Sequence, residues 1–311
     1  MQDRSDSHID FALDLDFSEI LTNPILDIAA RFWEDDRYEA FKICYRSMRV
    51  IDDLVDNQKS VGRQLGAEEQ NLFASMIDDW ICSLRRRRAA DYFQEQLIDT
   101  IERFRLPLWP WEKLAAAMLY DLYHNGFASF HKFLRYTEGA AIAPAAVFMH
   151  LCGVNRTGDK FTPPVFDIRA ASRPLALFSY LVHIMRDFQK DQRDHLNYFA
   201  ENIMTDEGLT EADLQLAAAG GEIGRPLRDL MQRYKTLADY YRHRSRLKLD
   251  QLLPRLAPRY QLSLEVIYGL YHQIFQRVNT DTGRFTTAEH NPTSEEIQAE
   301  LDRIIAAFRP L

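Results

Sequence analysis

Two clusters of carboxylates stand out among the residues of this chain that could do chemistry. The first is Arg49-Val-Ile-Asp52-Asp53-Leu-Val-Asp56, and the second is His183-Ile-Met-Arg186-Asp187-Phe-Gln-Lys190-Asp191. On a helix, residues four apart share a face, so Asp52 stacks with Asp56 and Asp187 with Asp191. Stacked carboxylates repel and weaken a helix unless a cation lies between them. Such hard oxygen pairs suit Mg²⁺, which takes one or two carboxylates and completes its shell with phosphate oxygens and water. Arg49, Arg186 and Lys190 flank the acids and match the charge of a diphosphate. A solvated acidic patch would account for one such cluster. Two, each beside an arginine, are expected to face one another across a bundle and trap a metal–diphosphate. Asp53 points about 100° away from Asp52 around the helix, which gives it a supporting role. His183 lies one turn before Asp187 on the same face. Imidazole prefers softer metals than Mg²⁺, so His183 reads as a diphosphate donor or a structural histidine rather than a ligand.

The elements that must position these groups are helical almost throughout, because apolar residues recur at helical spacing and strand-like alternation is nearly absent. A helix starts at Pro24 and turns Ile25, Ile28 and Ala29 inward. A long helix follows from about residue 37 to 61 and carries the first acid cluster. A third places Leu72, Met76, Trp80 and Leu84 on one face, and a fourth with Ile98, Ile101 and Phe104 stops before Pro107. Leu108-Trp109-Pro110-Trp111 opens the next, with both tryptophans as core anchors. Residues 130–152 form a helix rich in alanine from Ala140 to Ala146, and residues 155–164 form a loop. The second cluster lies on one long helix from about 168 to 194. Further helices are expected near 262–278 and 294–308. The breaks are evenly spaced, so residues 1–311 are expected to fold as one all-α domain of stacked helices, with 1–16 a mobile N-terminal segment.

Composition narrows the function. The chain has 311 residues, 46% of them apolar, and only 12 glycines and 12 prolines, which favours long uninterrupted helices. A net charge of −8 argues against a nucleic-acid partner. The basic run Arg85–Arg88 is read as a solvated helix end, with an anionic lipid surface as the alternative. Cys44, Cys82 and Cys152 lack disulfide or zinc spacing, and the nine histidines show no metal-binding pattern. The acidic N-terminus is unlike a signal peptide and no segment is apolar enough to span a bilayer, so a cytoplasmic protein, at most peripheral to a membrane, is expected. No dinucleotide or P-loop motif appears, so NADPH, if used, would bind without its usual fold.

With these motifs in view, the chain resembles the squalene and phytoene synthases over roughly residues 20–280. The segment around Asp52 is similar to that family's first aspartate-rich motif. Arg186 to Asp191, continuing to Asn197-Tyr198-Phe199, resembles the second. Met118-Leu-Tyr-Asp121 and Tyr136-Thr-Glu-Gly139-Ala-Ala match the helices between them, and Tyr271 matches a late tyrosine near the diphosphate. The resemblance implies an isoprenoid-synthase-like helical bundle around a central apolar cavity. It implies Mg²⁺-dependent head-to-head condensation of two prenyl diphosphates, farnesyl or geranylgeranyl, through a cyclopropyl diphosphate to a squalene-, dehydrosqualene- or phytoene-type product. Asp52, Asp56, Asp187 and Asp191 would be the metal ligands, with Tyr136 and Tyr271 catalytic and Asp121 in support. Ala140, Ala141, Phe148, Leu177 and Tyr180 would line the tunnel for the prenyl tails.

Three departures bear on the second half-reaction. Tyr180 and His183 stand where the family presents Gln and Asn, Pro144 interrupts a stretch that is Gly-rich in the family, and Arg284 is the nearest candidate for an arginine expected after the late tyrosine. A relative that ionises a single prenyl diphosphate, as a phosphatase or terpene cyclase, and a non-catalytic helical scaffold are the alternatives. An apolar product would favour peripheral contact with a membrane.

Overall fold

The structure, a computed structural model, describes residues 25–59, 65–158 and 160–311, with the side chains of 56–59 excepted. The expected N-terminal segment 1–16 and the side chain of Asp56 lie outside the described residues. The second acid cluster is carried by α8 (Ile168–Arg186) and the short α9 (Phe188–Arg193). The first cluster sits near the end of α2 (Asp35–Lys59), which follows the short α1 (Ile25–Ala30). In α2 the residues Ala40, Phe41, Cys44, Met48, Ile51 and Val55 are all buried, a helical stripe that leaves Arg46 and Arg49 exposed.

Around these run α3 (Ala67–Arg86), α4 (Tyr92–Arg103), α5 (Trp109–Tyr123), α6 (Phe130–Thr137) and α7 (Ala143–Gly153). The chain then continues through α10 (Glu201–Asp206), α11 (Glu211–Ala218), α12 (Arg225–Leu252), α13 (Pro258–Arg277), α14 (Thr287–His290) and α15 (Ser294–Ala307). Most of the buried apolar side chains form one continuous cluster from Ile28 to Phe308. The 28 residues of α12 lie along α8, the most extensive pairing of elements among the described residues. Two buried polar ties fix α2. Arg37 donates to the carbonyls of Leu151 (2.6 Å) and Val154 (3.3 Å) at the end of α7. The Trp111 indole donates to Ser47 Oγ at 2.9 Å.

Five features differ from the sequence reading. The expected helix over 130–152 is interrupted by a π-turn at Glu138–Ile142. There Gly139 presses against α5, and a Cβ would collide with the Lys113 carbonyl and Ala117. Residues 155–157 and 160–162, expected as loop, pair as an antiparallel hairpin. Only Phe161 of the hairpin turns inward, stacking on Phe104 at 4.3 Å, so three-residue strands gave no visible alternation. The long helix expected to 194 breaks at Asp187, whose φ of −92° and ψ of 6° lie outside helical values. The apolar face expected along α3 is only half covered: Leu72 and Met76 are exposed, whereas Trp80 and Leu84 are buried. Trp111 is fully buried, but Trp109 is only partly so, beside the Arg169 guanidinium. The basic run ends α3 as anticipated: Arg87 adopts left-handed geometry (φ 52°) there, and Arg85 and Arg87 pair with Glu112 and Glu102.

Candidate active site

A cavity of about 650 Å³ runs beside α8, within the range of small-molecule sites. Along α8 its lining changes in order: Ser172, Leu175 and Ala176 first, then Ser179 and Tyr180, then His183, Arg186 and Asp187, with Lys190 and Asp191 beyond. The apolar end is completed by Leu114, Ala140, Ala141, Pro144, Phe148, Met149, Leu264 and Ile267. Arg49 and Asp52 from α2 and Tyr271 from α13 join the polar residues, as do Tyr45 and Tyr198. The structure thus brings onto one surface Asp52 from the first cluster and Asp187 and Asp191 from the second. Asp53 is not part of that surface; its carboxylate pairs with Arg49 and is half exposed.

The second cluster is the more tightly constrained. Although the helix ends at Asp187, the backbone bonds continue, from Asp187 N–H to the His183 carbonyl (2.9 Å) and from Asp191 N–H to the Asp187 carbonyl (2.8 Å). The expected stacking of the two carboxylates therefore survives the break. Arg186 donates to both oxygens of Asp187, at 2.7 and 2.8 Å, and His183 Nε2 lies 2.8 Å from Oδ2. Burial would raise the Asp187 carboxyl, but the hydrogen bonds and charges of Arg186 and His183 outweigh it and hold it below the usual carboxylate range. Asp191 has no such clamp. Burial and the neighbouring Asp187 charge push it up to about 8, against the opposing pull of Lys190 and Arg186. Two buried carboxylates of which one resists ionisation form a site that a cation would relieve. Their hard oxygen donors, shared with Asp52, fit Mg²⁺. Among the described residues, however, no three His, Cys, Asp or Glu side chains converge closely enough to chelate an ion as they stand. Arg49 holds Asp52 at 2.5 Å and Arg186 holds Asp187, so each acid is compensated by a cation of its own helix.

Tyr136 lines the cavity and donates to the buried Asp121 carboxylate at 2.7 Å, so Asp121 orients the tyrosine from behind. Burial and that charge raise the Tyr136 hydroxyl well above its ordinary value, keeping it a proton donor. Tyr271 is likewise raised, chiefly by burial, and Arg186 opposes the shift. Of the expected tunnel residues, Ala140, Ala141, Phe148 and Tyr180 line the cavity, but Leu177 does not. One position round the helix from Ala176, Leu177 is fully buried in a separate small cluster with Ala141, Ile142 and Ala176. Arg284 is exposed and does not line the cavity. Tyr45, Ser172 and Ser179 were not anticipated. Tyr45 lies seven residues before Asp52, two helical turns along the same face, so the spacing alone could have found it.

The chain belongs to the squalene/phytoene synthase family, whose sequence pattern matches residues 28–296. It is 23% identical over 207 residues to phytoene synthase 2 (chloroplastic) of Zea mays, covering 66% of this chain and 48% of that protein. It is 24% identical over 182 residues to phytoene synthase 2 of Oryza sativa subsp. japonica, covering 58% and 43%. The matched region thus spans about half the length of these curated relatives. Among solved structures it is similar to a dehydrosqualene synthase in complex with ligand, with TM-score 0.71 and 15% identity over 96% of this chain and 95% of the other. The squalene synthase HpnC from Alicyclobacillus acidocaldarius gives TM-score 0.61 and 16% identity over 81% and 87%. The all-α isoprenoid-synthase fold expected from the sequence is the fold observed.

Proposed function

We propose that the chain condenses two prenyl diphosphates head to head through a cyclopropyl diphosphate, giving a squalene-, dehydrosqualene- or phytoene-type product. The carrying observation is the division of one cavity into a charged end, with Asp52, Asp187, Asp191, Arg49, Arg186 and Lys190, and an apolar end. A prenyl diphosphate has that same division. Asp52, Asp56, Asp187 and Asp191 would hold Mg²⁺, which as a Lewis acid stabilises negative charge on a departing diphosphate. Arg49, Arg186 and Lys190 share that charge, and the guanidinium of Arg186 is already oriented by Asp187. Tyr136, set by Asp121, and Tyr271 line the same cavity. The wall of Leu175, Ala176, Phe148, Leu264 and Ile267 excludes water from an allylic cation.

A narrower reading, ionisation of a single prenyl diphosphate, is favoured by one feature. Tyr180 occupies the cavity where an amide was expected, flanked by Phe133 at 5.8 Å and Tyr198 at 6.3 Å between ring centres. These rings reduce the room for a second substrate beside the charged end. Incubation with farnesyl or geranylgeranyl diphosphate and Mg²⁺, with and without NADPH, separates the two. A hydrocarbon or cyclopropyl diphosphate of doubled chain length supports condensation, and a prenyl alcohol or cyclised monomer supports the narrower reading. Failure of Mg²⁺ with a diphosphate analogue to raise the melting temperature would leave a scaffold as the remaining alternative. None of the helices among the described residues is long and apolar enough to cross a membrane.

A further inference from the structure

A second concavity, of about 510 Å³, lies outside the central cavity where α5, α6 and the start of α8 meet. It is bordered by Lys113, His131, Arg135, Glu138, Arg169 and Arg173. Four permanent positive charges thus surround one carboxylate, on a chain whose net charge is −8. Glu138 is the floor of the group, its side chain 14% exposed. Arg169 donates to its Oε2 at 2.9 and 2.6 Å, and Arg173 pairs with its other oxygen. Both guanidinium groups are held in place by that carboxylate and still carry unused N–H donors. Lys113 and Arg135 are exposed, and neither has a carboxylate partner among the described residues. Like charges gathered in one hollow repel, and the single glutamate leaves three of the four uncompensated.

We propose that this hollow is a second anion site, distinct from the central cavity, that takes a phosphate or diphosphate group. Pre-oriented guanidinium forks match phosphate oxygens in pairs, and a lysine adds a point charge. The volume admits more than one phosphate, or a phosphate carrying an organic substituent. The site is remote from the catalytic acids: Arg169 and Asp187 stand at opposite ends of α8, roughly 27 Å apart at ~1.5 Å per residue. It nevertheless touches the central cavity mechanically. Glu138 opens the π-turn whose Ala140 and Ala141 form part of the apolar wall. An anion bridging Arg169 and Arg173 to Lys113 and Arg135 would therefore tie α5, α6 and α8 together around that wall. Occupancy of this site does not depend on the chemistry proposed for the central cavity.

Calorimetric titration of the full chain with inorganic diphosphate, in the absence of divalent metal, tests the site. The double variant Lys113→Glu/Arg135→Glu, neither position being part of the central cavity, should bind at least about tenfold more weakly, the loss of one charge-assisted contact or more. Its turnover of prenyl diphosphate at low substrate should stay within about twofold of the parent. Co-sedimentation with phosphatidylcholine vesicles, with and without phosphatidic acid, forms the second arm. Vesicle binding that needs phosphatidic acid and is lost in the double variant identifies a lipid headgroup as the source. Diphosphate binding lost in the variant without vesicle capture identifies the free anion. The milder Arg135→Gln, expected to weaken binding in the same direction, covers misfolding of the double variant. Equal diphosphate affinity and equal vesicle partition in the parent and a folded variant would overturn the proposal.

Discussion

The two acid clusters share one sequence spacing and differ in almost everything else. The first sits on an uninterrupted helix, α2, with Asp52 24% and Asp53 48% exposed and a single arginine, Arg49, pairing with both. The second sits at a helix break and is buried, with Asp187 and Asp191 each 9% exposed. Water screens the first cluster, so its charges are cheap to keep and contribute little to stability. The second has lost that screening. It must be compensated by Arg186 and His183 at one acid, and it yields a carboxyl that resists ionisation at the other. Identical spacing therefore gives one cluster that is screened by water and one that is electrostatically loaded by burial.

The largest effect should come from removing an acid of either kind. Asp187→Asn and Asp52→Asn are each expected to lower turnover of prenyl diphosphates at least about a hundredfold, because each removes charge from the site that would hold the metal. The comparison separates them by stability. Asp187→Asn leaves the partly buried Arg186 without its ionic partner and should cost about 1–3 kcal/mol in denaturant unfolding, while Asp52→Asn should cost under about 1 kcal/mol. Equal stability losses would erase the distinction between the clusters.

The next effect is in pH dependence. Below the ordinary carboxylate value of 3.8, Asp191 is protonated in folded and unfolded chains alike. Between that value and about 8 only the folded chain keeps the proton, so the stability this group gives is complete at low pH and lost as pH rises towards about 8. The slope from one such group is at most about 1.4 kcal/mol per pH unit. Thermal melts in EDTA should show stability falling across that window in the parent and a flatter profile in Asp191→Asn. Mg²⁺ with a diphosphate analogue should raise the parent's melting temperature more than the variant's, and a rise of equal size in both would remove Asp191 from the ligand set.

A smaller effect is expected at His183. Asn in its place gives up the 2.8 Å contact to Asp187 but retains a hydrogen-bonding side chain. If His183 donates to the diphosphate, His183→Asn should stay active and bind inorganic diphosphate with Mg²⁺ about twofold to tenfold more weakly, the loss of one hydrogen bond. Unchanged diphosphate affinity in an active variant would confine His183 to orienting Asp187. The smallest effect belongs to Asp53→Asn, which removes only a half-exposed pair with Arg49. Turnover should change by less than about threefold and stability by about 0.2–1 kcal/mol, and a hundredfold loss would place Asp53 among the ligands.

How far the site was legible varies residue by residue. Asp52, Asp187, Asp191, Arg49, Arg186 and Lys190 were recognisable because an i, i+4 spacing fixes which side chains share a face whatever the helix later packs against. Tyr136 and Tyr271 were marked only by resemblance, since a tyrosine on a helix is as readily core as site. The bond between Tyr136 and Asp121 joins residues fifteen apart on two helices, which no local pattern reports. Leu177 was misplaced for a similar reason. Periodicity fixes the angle between Leu177 and Ala176 but not which of the two faces the cavity and which faces α12.

The sequence by itself determined that the chain is helical, that its acids come in two face-sharing pairs, and that each pair carries its own cation, because these follow from spacings within single helices. Only the tertiary structure decided that Asp187 ends a helix, that Glu138–Ile142 widens into a π-turn where Gly139 meets α5, and that two three-residue strands pair as a hairpin against Phe104. It also decided the unequal burial of the two clusters, and with it their unequal charge. Burial depends on what other helices bring to a surface, and the electrostatic cost of a carboxylate is set by how much water those helices leave beside it.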